Sequence, residues 1–203
     1  MLHVLSGVWA LLLGVVLIML GNGMHFTLIG LRGGIEGFSA GELAVVTSGY
    51  FVGFLSGARL TPLLIQRVGH VRVFAALGSF MSAGLIAFTL LAEPWTWTML
   101  RVLVGFCMSG IYVTAESWLN DASSNETRGQ ALSLYMITQM AGIVFAQWIV
   151  SRGDVSGYVL FIIPSVLVSL AFAPILLSVK PTPAFATTKP MTIRQLIAAS
   201  PLA

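Results

Sequence analysis

The sequence predicts an all-α integral membrane protein built as a bundle of six transmembrane helices. Of its 203 residues, 57% are hydrophobic and only 8% are charged, whereas soluble domains contain about 25% charged residues. Six apolar stretches are each long enough to cross a bilayer core, which needs roughly 20 apolar residues per helix. Short connections join these stretches, so we expect consecutive helices to be antiparallel neighbours.

The predicted bundle covers residues 1–180, and residues 181–203 form a cytoplasmic linker rich in proline, threonine and alanine. The first span has no basic segment before it and no clear small-residue cleavage site, so we interpret it as an uncleaved span rather than a signal peptide. Pro94 precedes the fourth span, where the missing N–H of proline costs little. The spans lie at about 8–31, 42–65, 71–91, 95–119, 131–150 and 158–179.

The basic residues predict that both termini are cytoplasmic, because Lys and Arg concentrate in cytoplasmic loops. With the N-terminus inside, only Arg32 and Arg152 lie outside. Seven cations then lie on the inner side: Arg59, Arg67, Arg72, Arg128, Lys180, Lys189 and Arg194. We therefore expect a multi-pass protein of the plasma membrane, which in a bacterium is the inner membrane.

Several kinds of site are not expected from the composition. Cys107 is the one cysteine and lies within an apolar helix, which excludes an intramolecular disulfide and a cysteine-rich metal site. The three histidines are scattered and form no metal-binding pattern. No dense basic stripe is present to bind nucleic acid. We expect no metal and no cofactor, and the lipid bilayer as the surrounding partner.

The fourth span carries a polar stripe in an otherwise apolar helix. At 100° per residue, a spacing of 4, 3, 4 and 4 places five residues on one face: Arg101, Gly105, Met108, Tyr112 and Glu116. An arginine in mid-membrane costs about 2.5–3.5 kcal/mol on insertion scales, so Arg101 must face protein or water. The stripe suits a water-filled cavity that binds a substrate. Alternatively, Arg101 donates to backbone carbonyls of neighbouring helices.

Other spans offer polar partners at similar depth. Asn22 and His25 lie three residues apart on one face of the first span, and they could hold an anion or a polar solute together with Arg101. His25 could equally be an interhelical hydrogen-bond donor. Gln139 shares a face of the fifth span with Tyr135, either lining the cavity or forming an interhelical hydrogen bond.

Glycines recur every four residues in the second span, at Gly49, Gly53 and Gly57. Small residues at this spacing allow two membrane helices to approach closely. The face could serve static packing within this bundle or slide against a partner bundle. We expect the second, with the face left open in this chain.

Two loops and two helices carry a resemblance to the major facilitator superfamily. The segment "PLLIQRVGHVR" resembles the signature G-x-L-A-D-R-x-G-R-R/K, with Arg67 and Gly69 matching and Arg72 as a second cation. "RVLVGFCMSG" resembles the fourth-helix signature that begins with arginine, and "RGQALSLYMITQMAGIVFAQ" is similar to the start of helix five. "ESWLN" resembles the YcaD-like branch. The departures from the first signature are Pro62, Gln66 and His70.

The resemblance implies one half of a twelve-helix fold, with a second six-helix half as partner and helices one and four lining the cavity. It implies a secondary transporter that moves a small polar or anionic solute by alternating access, with proton coupling left open. Asp121 lies seven residues before Arg128, similar to an acid–arginine pair of the sugar-porter branch. The candidate cytoplasmic gate comprises Arg67, Gly69, Arg72, Glu116, Asp121 and Arg128.

Two readings remain open beside transport. A membrane-embedded enzyme would need acids, histidine or serine clustered in one layer, whereas the polar groups here are spread in depth. A truncated or non-transporting scaffold is the other alternative. Within the gate, Glu116 lies roughly 22 Å along the helix axis from Arg101. We therefore expect Glu116 to latch onto a loop arginine, or to exchange protons, rather than to pair with Arg101.

Overall fold

The structure, a computed structural model, describes residues 2–177, with side chains from residue 8 onward. The helices are α1 Leu2–Ile35, α2 Ala40–Val68, α3 His70–Ala87, α4 Pro94–Asp121, α5 Arg128–Val150, α6 Val159–Ala171 and the short α7 Ala173–Leu176. Within the described residues, six helical stretches are long and apolar enough to cross a membrane, which confirms the predicted fold class. The predicted linker at 181–203 lies outside the described residues.

Local sequence explains where the helices begin and end. The Ser39 hydroxyl and the Glu42 side chain form a reciprocal cap at the start of α2, an arrangement that satisfies two free backbone N–H groups. Gly69 has φ +86°, a conformation that glycine adopts without strain, and it allows α3 to start directly after α2. Glu93 caps α4, with Pro94 in its first turn.

Two predicted spans are shorter than expected. The third span ends at Ala87 rather than residue 91, and the Thr89 hydroxyl then donates to the Ile86 carbonyl in a turn. The sixth span breaks at Phe172, before Pro174. Proline lacks an N–H and its ring clashes with the carbonyl four residues earlier, so α6 stops and α7 begins after Phe172.

The expectation that consecutive helices are neighbours holds extensively only for α3 and α4 within the described residues. The principal contacts run from α2 to α4, α4 to α3, α3 to α6, α6 to α1 and α1 to α5, while α1 and α4 touch only slightly. Matching of small and polar side chains therefore decides the packing, and loop length does not. At the α3–α6 contact, the hydroxyls of Ser82 and Ser165 each donate to the other residue's carbonyl.

The glycine face of α2 is covered by this chain, so the expectation of an open sliding face is wrong. Gly49, Gly53 and Gly57 are all buried. A Cβ on Gly53 would overlap the Val102 carbonyl of α4, and one on Gly57 would lie 2.5 Å from the Phe106 carbonyl. A Cβ on Gly105 of α4 would in turn overlap the Tyr50 carbonyl. The two helices therefore meet backbone to backbone.

Candidate functional site

The Arg101 side chain lies buried in the membrane-spanning part of the bundle and has no hydrogen-bond partner among the described residues. It is 1% exposed, and its Nε and Nη1 atoms have no hydrogen-bond acceptor among the described residues. Its guanidinium carbon lies 4.6 Å from the centre of the Tyr50 ring and 5.2 Å from that of Phe26. Aromatic faces attract a guanidinium, but they do not replace the carbonyl or carboxylate oxygens that usually accept its hydrogen bonds.

This environment differs from both expectations for Arg101. Among the described residues, the Tyr50 and Phe26 rings cover the guanidinium, where an open, water-filled cavity was predicted. The alternative of hydrogen bonds to backbone carbonyls is not observed among the described residues either. Phe26 is 49% exposed, so the aromatic cover over Arg101 reaches the bundle surface.

The residues around Arg101 contribute further polar atoms that lack partners within the described chain. These are Oδ1 of Asn22, both ring nitrogens of His25 and Nε1 of Trp97. His25 is fully buried, with the Phe88 ring 4.4 Å and the Phe161 ring 6.0 Å away, both edge-on. It is still close enough to Arg101 for an electrostatic interaction. The structure thus brings the first-span candidates near Arg101, although aromatic rings enclose His25.

Trp97 was not predicted as part of this region. It lies one turn before Arg101 on α4, is 1% exposed, and contacts Phe88 and Phe161 with ring centres 5.5 Å and 6.4 Å apart. The indole N–H of a buried tryptophan usually finds an acceptor. Helical spacing alone could have identified Trp97, since it lies four residues from Arg101.

The C-terminal half of the α4 stripe divides between core and surface. Met108 is fully buried in the hydrophobic core, so it provides packing rather than the predicted cavity wall. Tyr112 is half-buried, and its hydroxyl lies 3.4 Å from the Met19 sulfur of α1. Glu116 is exposed, close enough to Tyr112 and Tyr135 to interact electrostatically with both. The stripe therefore continues toward the C-terminal end of α4 through Tyr112, Tyr135 and Glu116.

Gln139 does not form the interhelical hydrogen bond that was one of its two predicted roles. It is half-buried and forms no hydrogen bond with another described residue. Gln147 forms that contact instead, two turns further along α5. Its Nε2 donates to the Gly23 carbonyl over 3.3 Å, and its Oε1 accepts from Thr27 over 2.9 Å. Both glutamines fit a polar face of α5 by sequence, and only the position of α1 distinguishes them.

At the end of the bundle that carries the α2–α3 turn, the predicted latch between Glu116 and an arginine is wrong for the described residues. Arg67, Arg72 and Arg128 are exposed, and none of them forms an ion pair within the described chain. His70 makes the contact between α3 and α4 instead. Its Nε2 lies 3.0 Å from the Ser117 hydroxyl and 3.7 Å from Asp121 Oδ2.

The position of His70 follows from the turn at Gly69. The positive φ of Gly69 makes His70 the first residue of α3, and this placement brings its ring to the end of α4. The sequence showed His70 only as a departure from the loop signature. Asp121 was predicted to act at this end of the bundle, but in concert with Arg128 rather than with a histidine.

Comparison with known proteins identifies related sequences along most of the chain. A family model described as the Major Facilitator Superfamily matches residues 11–200. An uncharacterised MFS-type transporter of Enterobacter sp. (strain 638) is 31% identical over 142 residues, which are 70% of this chain and 37% of that protein.

Two further relatives carry the name YcaD and are also described as uncharacterised MFS-type transporters. The protein from Salmonella newport (strain SL254) is 30% identical over 157 residues, 77% of this chain and 41% of its own length. The protein from Escherichia coli O45:K1 (strain S88 / ExPEC) is 32% identical over 145 residues, 71% of this chain and 38% of its own length. The chain therefore spans about two fifths of the length of the relatives it matches.

Proposed function

Because the chain belongs to the major facilitator superfamily, we propose that it forms one half of a secondary transporter that moves a small anionic or polar solute by alternating access. The observation that carries this proposal is the Arg101 guanidinium, buried in a membrane span with Nε and Nη1 unpaired among the described residues. Ionisable groups inside a membrane are costly and mark solute or ion pathways.

An anionic solute is the ligand that this guanidinium lacks. Removing a buried charge from water costs several kcal/mol unless hydrogen bonds and an opposite charge compensate it. Arginine offers a planar fork of donors that matches a carboxylate or phosphate in two places. The unpaired Oδ1 of Asn22 and Nε1 of Trp97 would then contact polar or hydroxyl groups elsewhere on the solute.

The aromatic cover supplies the occluding element of this proposal. Phe26 lies over the guanidinium from α1 and Tyr50 from α2. A rotation of the half-exposed Phe26 ring would open a path from the bundle surface to Arg101. In the proposed cycle the solute enters by displacing Phe26 and pairs with Arg101. It leaves along the inner part of the stripe, past Tyr112 and Glu116.

The second half is proposed to cover the apolar surfaces of α2 and α5. These two helices are the least buried spans, with 28% of their most apolar windows buried. Leu55 of α2 is 69% exposed and Met136 of α5 is 64% exposed. Since α2 and α5 lie at opposite ends of the packing order, their free sides flank the α1 and α4 surfaces that carry the site.

The gate at the inner end is proposed to centre on the turn between α2 and α3. His70 links α3 to Ser117 and Asp121 of α4, and it leaves Arg67, Arg72 and Arg128 exposed. These cations are then available to acidic groups of the second half or to anionic lipid headgroups. Glu116 of α4 adds an exposed carboxylate.

Transport by the full-length protein tests the proposal. Reconstituted into liposomes, it is expected to take up at least one small carboxylate or phosphate-bearing metabolite from a panel that also contains neutral sugars and amines. Imposing and abolishing a proton gradient in the same assay reports on proton coupling. Uptake of amines alone, or of nothing in the panel by folded protein, would contradict an anion transporter.

The proposed orientation places both termini in the cytoplasm, and it predicts which cysteines an impermeant maleimide reaches in intact cells. Gly34→Cys is expected to react, because Gly34 is exposed at the outer end of α1 and has no atom within 4 Å of its added Cβ. Ser123→Cys is expected to react only after permeabilisation. The natural Cys107 is fully buried and serves as the unreactive background. Reaction of Ser123→Cys in intact cells would reverse the topology.

A further inference from the structure

A cleft of about 470 Å³ opens between the ends of α5 and α6, on the side opposite the His70 turn. It exists because α5 and α6 both pack on α1 rather than on each other. Its floor is narrow, since a Cβ on Gly153 would lie 2.6 Å from the Leu160 side chain. The transport proposal assigns no role to this cleft.

The lining of the cleft changes from apolar to charged along its length. Ile149, Leu160 and Ile163 line the part that lies within the membrane spans. Arg152 and Asp154 line the part formed by the connection between the spans. Trp148 lies at the boundary and is 56% exposed, as is typical of aromatic residues at a membrane interface. This profile matches a phospholipid, with a charged headgroup above an acyl chain.

Arg152 is positioned to bind a phosphate. Its guanidinium carbon lies 4.3 Å from the centre of the Trp148 ring, and its Nη1 donates to the Trp148 carbonyl over 3.2 Å. Stacking and this hydrogen bond fix the plane of the guanidinium. The remaining donors have no acceptor among the described residues, so they are available to a ligand at the rim of the cleft.

Asp154 supplies a negative charge at the same rim. Its Oδ1 accepts hydrogen bonds from the Ser156 hydroxyl over 2.6 Å and from the Ser156 N–H over 2.9 Å. These bonds, the hydroxyl first, lower the pKa of the Asp154 carboxyl, so it is ionised at neutral pH. Oδ2 takes no part in them, and it lies next to Gly157 on the cleft side.

The loop that carries these charges is held in place from α1. Arg32 donates to the carbonyls of Val155 and Ser156, forms an ion pair with Glu36, and lies over the Tyr158 ring. The position of Asp154, which bonds to Ser156, is thereby constrained before any ligand binds. A preformed site loses less conformational entropy on binding.

We propose that this cleft binds one phospholipid with a primary-ammonium zwitterionic headgroup, phosphatidylethanolamine, through its phosphate at Arg152 and its ammonium at Asp154. One acyl chain lies along Leu160 and Ile163. An anionic headgroup such as phosphatidylglycerol would pair with Arg152 but offers no ammonium to Asp154. The quaternary ammonium of phosphatidylcholine has no N–H to donate to a carboxylate.

Native mass spectrometry of the full-length protein tests this site, with phosphatidylethanolamine, phosphatidylcholine and phosphatidylglycerol of identical acyl chains titrated into detergent. We expect phosphatidylethanolamine to bind about tenfold more tightly than either other lipid, as a charge-assisted hydrogen bond implies. Asp154→Asn is expected to remove the preference for phosphatidylethanolamine over phosphatidylcholine. Arg152→Gln is expected to weaken both.

Two further variants separate the cleft from general lipid coating. Val159→Trp adds bulk at an exposed position, 65% exposed, that lines the cleft, and it is expected to displace all three lipids. Arg59→Gln removes an exposed cation of α2 outside the cleft and is expected to change nothing. Three outcomes would each overturn the proposal. They are equal retention of the three lipids, a preference that survives Asp154→Asn, and no saturable lipid binding because another part of the protein fills the cleft.

Discussion

Replacing Gly53 by alanine is expected to destabilise the bundle strongly, because the α2–α4 contact has no room for a single methyl group. The added Cβ would overlap the Val102 carbonyl, which belongs to a helix backbone and has no rotamer to change. The two helices would have to move apart along the whole contact that Gly49 and Gly57 also form. Overpacking of a core typically costs about 1–3 kcal/mol, and more where backbone must shift.

The matched control is the same substitution at Gly30 in α1, where an added Cβ meets no atom within 4 Å. Alanine is favoured over glycine within a helix by about 0.5–1 kcal/mol, so Gly30→Ala should leave the thermal midpoint unchanged or raise it. Gly53→Ala should lower the midpoint of the full-length protein in detergent by several degrees. Equal midpoints for the two variants would show that α2 and α4 do not meet through this face.

The glycine repeat illustrates how far the sequence predicts this fold. The spacing of Gly49, Gly53 and Gly57 correctly indicated a close helix contact, since only small residues permit one. It could not identify the partner. Gly105 and Ser109 of α4 lie four residues apart, but Gly30 and Gly34 of α1 have the same spacing. Span number and position follow from length and hydropathy, whereas neighbour relations depend on which helix surfaces match.

The candidate site was predictable to a different extent at each residue. Arg101 could be selected because an arginine in an apolar helix is expensive wherever it faces. The covering of Arg101 by Phe26 and Tyr50 could not be predicted. Those rings come from α1 and α2, and their positions depend on how three helices cross. Gln139 and Gln147 are equivalent in sequence, and His70 appeared only as a mismatch to the loop signature. In each case a contact between distant segments decided the role.

Replacing Arg101 by methionine is expected to abolish transport while leaving the protein folded. Methionine keeps a long side chain between Phe26 and Tyr50 but removes the charge and all the donors. Because the guanidinium Nε and Nη1 have no acceptor among the described residues, their loss breaks no hydrogen bond within that part of the chain. Removing the guanidinium also removes the free-energy cost of burying an unpaired charge, so the thermal midpoint should stay the same or rise.

Lysine at position 101 provides the second comparison. It preserves the positive charge, but its ammonium lacks the planar fork that grips an oxyanion in two places and that stacks between two rings. Loss of one charge-assisted hydrogen bond corresponds to roughly ten- to a hundredfold weaker binding. We therefore expect Arg101→Lys to bind the solute roughly ten- to a hundredfold more weakly than the wild type and to transport it slowly.

Equilibrium binding of the transported solute tests the anion site without requiring the transport cycle. It is measured by calorimetry on detergent-purified full-length protein for the wild type, Arg101→Lys and Arg101→Met. We expect graded affinity: tight for the wild type, roughly ten- to a hundredfold weaker for Arg101→Lys, and undetectable for Arg101→Met at an undiminished thermal midpoint. Wild-type affinity in a folded Arg101→Met protein would contradict the claim that the buried guanidinium of Arg101 holds the solute.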